Sequence, residues 1–208
     1  MADTADPTCP PATVQHAVDA FRRHAFAALL VTDAPRLADA AEAASREAVG
    51  VAQAIAWLDA HGALEHDGDR LVGAHGLTHR TTPHGLTVGD RTVHTWCALD
   101  AVAIPVALGA TARATTSCPT CGRSLAVEIV DGQLPDRPQP VLWHPTGPCN
   151  NVIADFCAHA NLFCTTEHLA TWRHGAGNPP GHILTLAGVP AIARTAWADI
   201  ATGEPDGS

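Results

Sequence analysis

Residues 45–78 read SREAVGVAQAIAWLDAHGALEHDGDRLVGAHGLT, and the change of rhythm inside this stretch decides the fold class. Val51, Ala54, Ile55 and Leu58 recur at helical spacing, and Gly62 stands where a helix C-cap belongs. Beyond it, ALEHDGDRLVGAHGLT reads as two short strands about a turn at Asp67–Gly68. Upstream, Val14, Ala17, Val18, Phe21, Ala25, Ala28 and Leu29 predict a helix from Ala12 to about Val31. DAPRLADAAEAAS predicts a second, beginning near Pro35, a residue suited to a first helical turn. Three short helices and then a hairpin is the order of a winged helix, so residues 1–80 are expected to form a winged-helix-like N-terminal module. The Pro-rich opening MADTADPTCPP is expected to fray.

After Thr78 the helical period gives way to strands. THRTTPHGLTVGDRTVHTW predicts a strand pair turning at Gly89–Asp90. CALDAVAIPVALG predicts a short apolar helix, kinked or ended near Pro105. TARATTSC and SLAVEIVDG are strands joined through CPTCGR, and RPQPVLWHPTGPCNN is a strand entering a loop. EHLATWRHGAG is a surface helix, and GHILTLAGVPAIARTAWADIA is a strand or turn followed by a helix. No internal repeat is visible. The expected class is α+β: the N-terminal module, then an α+β catalytic domain over 81–208 with a mainly antiparallel sheet and flanking helices.

Composition narrows the function. The chain has 208 residues, 46% of them hydrophobic and 16% charged, enough for a sizeable core. No apolar run is long enough for a membrane span, and the N-terminus lacks the basic and apolar regions of a secretory signal. The expectation is a cytoplasmic protein with no membrane partner. Its net charge is −9 and it contains no lysine, whereas nucleic-acid affinity rests on cations that neutralise phosphates. The third helix carries Glu47, Gln53 and Asp59 with only Arg46 as a base, so no nucleic-acid partner is expected. Seven cysteines in such a chain are expected to remain thiols, available for metal or catalysis.

Two segments place thiols beside groups that could use them. In TWCALD, residues 95–100, a helix starting at Cys97 puts Asp100 one turn on, with Cβ atoms roughly 5–6 Å apart. A helix N-terminus favours the thiolate and can lower a cysteine pKa. The bland reading is a packed thiol and a solvated acid. DFCAHANLFC, residues 155–164, mixes Cys157, His159 and Cys164 with Phe156 and Phe163, a setting for a soft metal or a buried strand. CPTCG, residues 118–122, is half of a zinc site. No other CxxC or HxxxH stands at finger spacing, so structural zinc at Cys118 and Cys121, a thiol pair, and plain packing all stay open. The thirteen histidines follow no metal-binding spacing. Phosphate loops, GxSxG elbows and paired-acid motifs are missing from the sequence.

The string WCALDAVAIPVALGATARATTSC, followed by FCAHANLF, resembles the alkylmercury (organomercurial) lyases. That family shows W-C-A-L-D, a proline five residues past the aspartate, T-A-R and a further cysteine, then F-C-x-H-x-x-F-F. The N-terminal helices are similar to the family's winged-helix-like domain, which is not used on DNA. The resemblance implies cleavage of a carbon–mercury bond, with Cys97 and Cys157 as the mercury-binding thiols and Asp100 as proton donor and a weak metal contact. It matches Cys118 to a structural cysteine. This chain departs from the family in having Ala158 where a second cysteine often follows the catalytic one, and in adding Cys121 and Cys164.

The implied chemistry suits the residue types. Mercury is soft and prefers thiolate. A second thiolate pushes electron density through mercury onto carbon, which a nearby carboxylic acid can protonate. Trp96, Phe156 and Phe163 are candidates for an apolar wall around the organic group. No cofactor is required, and mercury is substrate and product. The implied partners are organomercurial small molecules, cellular thiols and a mercuric reductase that accepts Hg(II). A winged-helix metal-responsive regulator and a non-catalytic thiol metal-binding protein are the competing readings. The roles of Cys9, Cys118, Cys121, Cys149 and Cys164 stay open.

Overall fold

Helix α1 runs from Ala12 to Val31 and buries Ala17, Val18, Phe21, Ala25 and Leu29 along one stripe, the face its apolar period selects. The computed structural model describes residues 10–135 and 140–201. The chain divides into two units, Met1–Arg80 with Pro148–Phe156 and Thr81–Gly147 with Cys157–Ser208.

In the first unit, α1 packs on α2 (Leu37–Ser45) and α3 (Val51–Ala60). Helix α2 starts two residues after Pro35, because Arg36 is held extended in a bridge to Arg70. Strands β1 (Leu64–Asp67), β2 (Arg70–Ala74) and β3 (Leu77–Thr78) follow as an antiparallel ladder, with Leu64 opposite Ala74 and Gly73 opposite Thr78. Phe21, Phe26, Leu29, Leu58, Leu71 and Leu77 fill the core.

The end of α3 explains why Pro148–Phe156 joins this unit rather than the residues around it in sequence. Gly62 has φ 58°, and the Gly62 and Ala63 N–H groups donate back to the Asp59 and Leu58 carbonyls, a complete Schellman stop. The freed His61 carbonyl accepts the Val152 N–H at 2.8 Å. A Cβ at Gly62 would overlap the Asn151 side chain. Gly62→Ala therefore combines left-handed strain of about 1–2 kcal/mol with a clash. Its melting temperature is expected to fall by roughly 2–8 °C; an unchanged value in a thermal scan would refute this account.

In the second unit, β4 (Gly85–Val88) and β5 (Arg91–Thr95) form the expected hairpin, with Gly89 at φ 56° in the turn. The next element is α4 (Ala98–Ala107), buried from Ala98 through Pro105 and apolar on every side except at Asp100. Such a helix belongs inside a domain. It continues two residues past Pro105, so the proline does not end it. Strands β6 (Ala112–Ser117) and β7 (Ser124–Ile129) complete the antiparallel order β5-β4-β6-β7.

A second antiparallel sheet has the order β10-β8-β9, from β8 (Val141–Pro145), β9 (Leu162–Phe163) and β10 (Gly181–Leu184). Helix α5 (Thr166–Gly175) follows β9, and α6 (Val189–Ala196) packs on α4 before the short α7 (Ala198–Ala201). The architecture is mixed helix and antiparallel sheet, and no helix among the described residues is long and apolar enough to cross a membrane.

Candidate active site

Cys97 is the N-cap of α4, in extended backbone with φ −146° and ψ 172°. Thr95, at the end of β5, is fully buried and donates from Oγ1 to the Cys97 carbonyl at 2.8 Å. The Cys97 sulfur accepts the Asp100 N–H at 3.4 Å, and Asp100 Oδ2 accepts the Cys97 N–H at 3.2 Å. This is a capping box in which a thiol replaces the usual hydroxyl and an aspartate the usual glutamate. The helix start has donors that need partners, and meeting that need locks the two side chains together.

Cys157 reaches the same place from later in the chain. It is the last residue of a π-helical turn, Val152–Cys157. The Ala98 N–H donates to the Ala160 carbonyl at 3.1 Å, which stitches the start of α4 to the segment following Cys157. The Cys157 thiol donates to Asp100 Oδ2 at 3.9 Å, and the two sulfurs and a carboxylate oxygen all lie within 4.8 Å of one another. Exposure is 0% for Cys97, 3% for Cys157 and 6% for Asp100. The three candidate residues are thus brought together in one buried cluster.

Burial sets their protonation. It pushes the Cys97 thiol well above its ordinary value, reinforced by the hydrogen bond with Cys157 and the charges of Asp100 and Cys157. The Asp100 N–H opposes this only in part, so the expected lowering at a helix N-terminus is outweighed by desolvation. Asp100 is raised by burial to about 7, against the lowering effect of its hydrogen bonds to the Cys97 side chain and backbone. The cluster therefore holds a reluctant thiol at Cys97 and a second buried thiol at Cys157 around one carboxyl that exchanges a proton near neutrality. It can take protons from thiols as a soft metal arrives and return one to a carbon bound to that metal.

Other candidates fall elsewhere. Phe163 is fully buried, packed in a cluster with Cys118, Trp143 and Leu169. Cys149 lies half-buried in the first unit, and Cys9 is outside the described residues. His84 is held down to about 4, by burial first and then by His94, and pairs with Thr116 Oγ1 at 2.7 Å. It serves as a neutral core histidine.

A second cluster joins Cys118, Cys121, Cys164 and His168, whose donor atoms also lie within 4.8 Å of one another. Burial pushes the Cys118 thiol up, but backbone N–H groups of Cys164, Cys121 and Thr120 outweigh it and bring it down to about 6. Cys164 is raised to about 11, by burial and then by Cys121 and Cys118. Its second half in sequence is Cys164-x-x-x-His168, a spacing that is neither CxxC nor HxxxH.

The family model described as alkylmercury lyase matches residues 77–198. The alkylmercury lyase of Pseudomonas putida is 32% identical over 148 residues, covering 66% of this chain and 68% of that protein. The alkylmercury lyase of Streptomyces lividans is 26% identical over 168 residues, covering 79% of this chain and 75% of its own. Among solved structures, the mercury-bound form of MerB2 superposes with a TM-score of 0.74, covering 90% of this chain and 91% of that one. At 20% identity it establishes the shared fold alone.

Proposed function

We propose, for a chain that belongs to the alkylmercury lyase family of carbon–mercury-cleaving enzymes, that cleavage proceeds by protonolysis at Cys97, Asp100 and Cys157. The observation that carries this reading is the convergence of two thiols and one carboxyl within 4.8 Å, all three buried.

The substrate is an organomercurial R–Hg–SR′, with R′SH a cellular thiol. Sulfur of one cysteine bonds to mercury and its proton passes to the departing thiolate, regenerating R′SH. The second cysteine then bonds, and Asp100, whose Oδ2 already accepts the Cys157 thiol, takes that proton. With two thiolates on mercury, the carbon gains carbanion character. Asp100 returns its proton to carbon, the carbon–mercury bond breaks, and its electron pair leaves with R as R–H. Hg(II) remains between Cys97 and Cys157 until two thiols displace it and restore both cysteine protons. The balance is R–Hg–SR′ plus two thiols, giving R–H, R′SH and a mercury bis-thiolate. A carboxyl near 7 suits both halves of this exchange. The setting is a reducing cytoplasm, and a mercuric reductase is the natural recipient of Hg(II).

Residues 1–80 form a winged-helix-like module with a scaffolding role, and residues 81–208, apart from the Pro148–Phe156 segment that belongs to the first unit, the catalytic domain. Four arginines of the first unit support that assignment. Arg23 pairs with Glu47, Arg36 with Asp69 and Arg46 with Glu42, each at 2.7 Å, and Arg80 pairs with Asp67 at 2.9 Å. Guanidinium groups engaged by neighbouring carboxylates present a poor surface to phosphates.

The test is incubation of the full chain with phenylmercury and excess thiol, with benzene measured by gas chromatography. The expected result is benzene in molar excess over protein. Mercury retained with no benzene above a protein-free control would replace this reading with a binding protein.

A further inference from the structure

We propose that Cys118, Cys121, Cys164 and His168 form a structural zinc site, separate from the mercury-handling cluster. The sequence offers only a CxxC half-site; folding supplies the other half. Cys118 follows β6 and Cys121 lies in the turn to β7, while Cys164 follows β9 and His168 sits in the first turn of α5. Three sulfurs and one imidazole nitrogen are a donor set that zinc takes in closed, four-coordinate structural sites.

The spacing of the donors fits the ion. Tetrahedral zinc with Zn–S of about 2.3 Å and Zn–N of about 2.0–2.1 Å places two sulfurs about 3.8 Å apart and sulfur and nitrogen about 3.6 Å apart. Cys121 Sγ lies 3.6 Å from Cys164 Sγ, and Cys118 Sγ lies 3.7 Å from His168 Nδ1. All four donor atoms lie within 4.8 Å of one another. The cysteines are free thiols.

The backbone around the donors is fixed by other bonds. The Gly122 N–H donates to the Cys118 carbonyl and the Cys118 N–H to the Arg123 carbonyl, both at 2.9 Å, and Gly122 has φ 70°, closing a tight knuckle. Thr165 caps α5 by accepting the His168 N–H at 3.3 Å, and Thr120 Oγ1 donates to the His168 carbonyl at 2.7 Å. Both halves are therefore oriented by interactions that need no metal. Beneath them, Cys118 packs with Trp143, Phe163 and Leu169, an apolar floor that limits water on one side.

Binding takes all three cysteines as thiolates, releasing the protons they still carry, and leaves a zinc centre with three thiolates and one neutral imidazole, net charge −1. Backbone N–H groups of Thr120, Cys121 and Cys164 directed at the Cys118 sulfur offset part of that charge. The ion would tie the β6–β7 turn to β9 and α5. Because the chain runs from Cys157 into β9, the tie holds the far end of the segment carrying one mercury-binding thiol. This role is structural, and its readout does not depend on lyase activity.

The experiment measures metal in the full chain, expressed with added zinc sulfate and purified under reducing conditions without chelator. Plasma mass spectrometry is expected to find one zinc per chain, retained in a Cys97→Ser/Cys157→Ser variant. In Cys121→Ser/Cys164→Ser it should fall below about a tenth of that. X-ray absorption on the unaltered protein should show three sulfurs at about 2.3 Å and one nitrogen at about 2.0–2.1 Å, which keeps the test alive if the double variant misfolds. Zinc missing from the unaltered protein, zinc lost with Cys97 and Cys157 instead, or a shell without three sulfurs would overturn the proposal.

Discussion

Cys97→Ser is expected to abolish carbon–mercury cleavage while leaving the fold about as stable as before. A hydroxyl is a poor ligand for a soft ion, and with one thiolate the carbon never gains the electron density that makes it basic. The expected loss in kcat/KM is at least about 10³-fold, equivalent to about 4 kcal/mol of transition-state stabilisation. Stability responds to a different property of the same residue. Cys97 is the N-cap of α4, its sulfur accepting the Asp100 N–H, and serine is among the best N-cap residues. The capping box survives, so the melting temperature should stay within about 4 °C. Cys157→Ser should lose activity to a similar degree, because Cys157 meets Asp100 through its thiol proton and supplies the second sulfur. Benzene release from phenylmercury and thermal unfolding, measured on the same preparations, check both halves. A Cys97→Ser protein retaining a tenth of the activity would mean the two-thiolate mechanism is wrong.

Much of the scaffold was legible because its signals are local. Helix α1 spans the bounds its apolar stripe predicts, and the hairpins turn where glycine supplies positive φ, as at Gly68 and Gly89. The thiol–carboxyl pairing within TWCALD was legible for the same reason, though its form was not. Cys97-x-x-Asp100 has the spacing of a capping box, with residue types outside the usual pattern. What local sequence could not supply is burial. A helix start alone predicts an easier thiolate at Cys97, whereas desolvation inside the domain reverses the outcome. The second cluster escaped for a topological reason. Cys118 and His168 stand far apart in sequence and meet only because β9 and α5 return to the β6–β7 turn. The assignment of Pro148–Phe156 to the first unit is likewise non-local, resting on the His61 carbonyl freed at the end of α3.

Asp100→Asn is expected to separate mercury capture from bond cleavage. Asparagine with its oxygen in the place of Oδ2 can still accept both the Cys97 N–H and the Cys157 thiol, so the box and both thiols are preserved. What it loses is the acidic proton. Positioned acid catalysis contributes about 10²–10⁴-fold, and benzene release should fall by that amount while phenylmercury still binds one per chain. A second consequence appears in stability. The folded carboxyl titrates at about 7 against an ordinary value of 3.8, so between those pH values the native state holds a proton that the unfolded state has lost. Stability from this group is complete below about 4, declines as pH rises toward about 7, and is constant above. Asparagine does not titrate, so this slope should vanish. His84, held down to about 4, gives a slope of opposite sign in both proteins; it cancels when the two melting temperatures are subtracted. Cys97, pushed up from a value already alkaline, stays protonated in both states over this range. The difference, native minus variant, should therefore move against the native protein from pH 5 to about 7.5. If it stays flat while benzene release still collapses, Asp100 donates its proton from an ordinary carboxyl, and burial is not what tunes it.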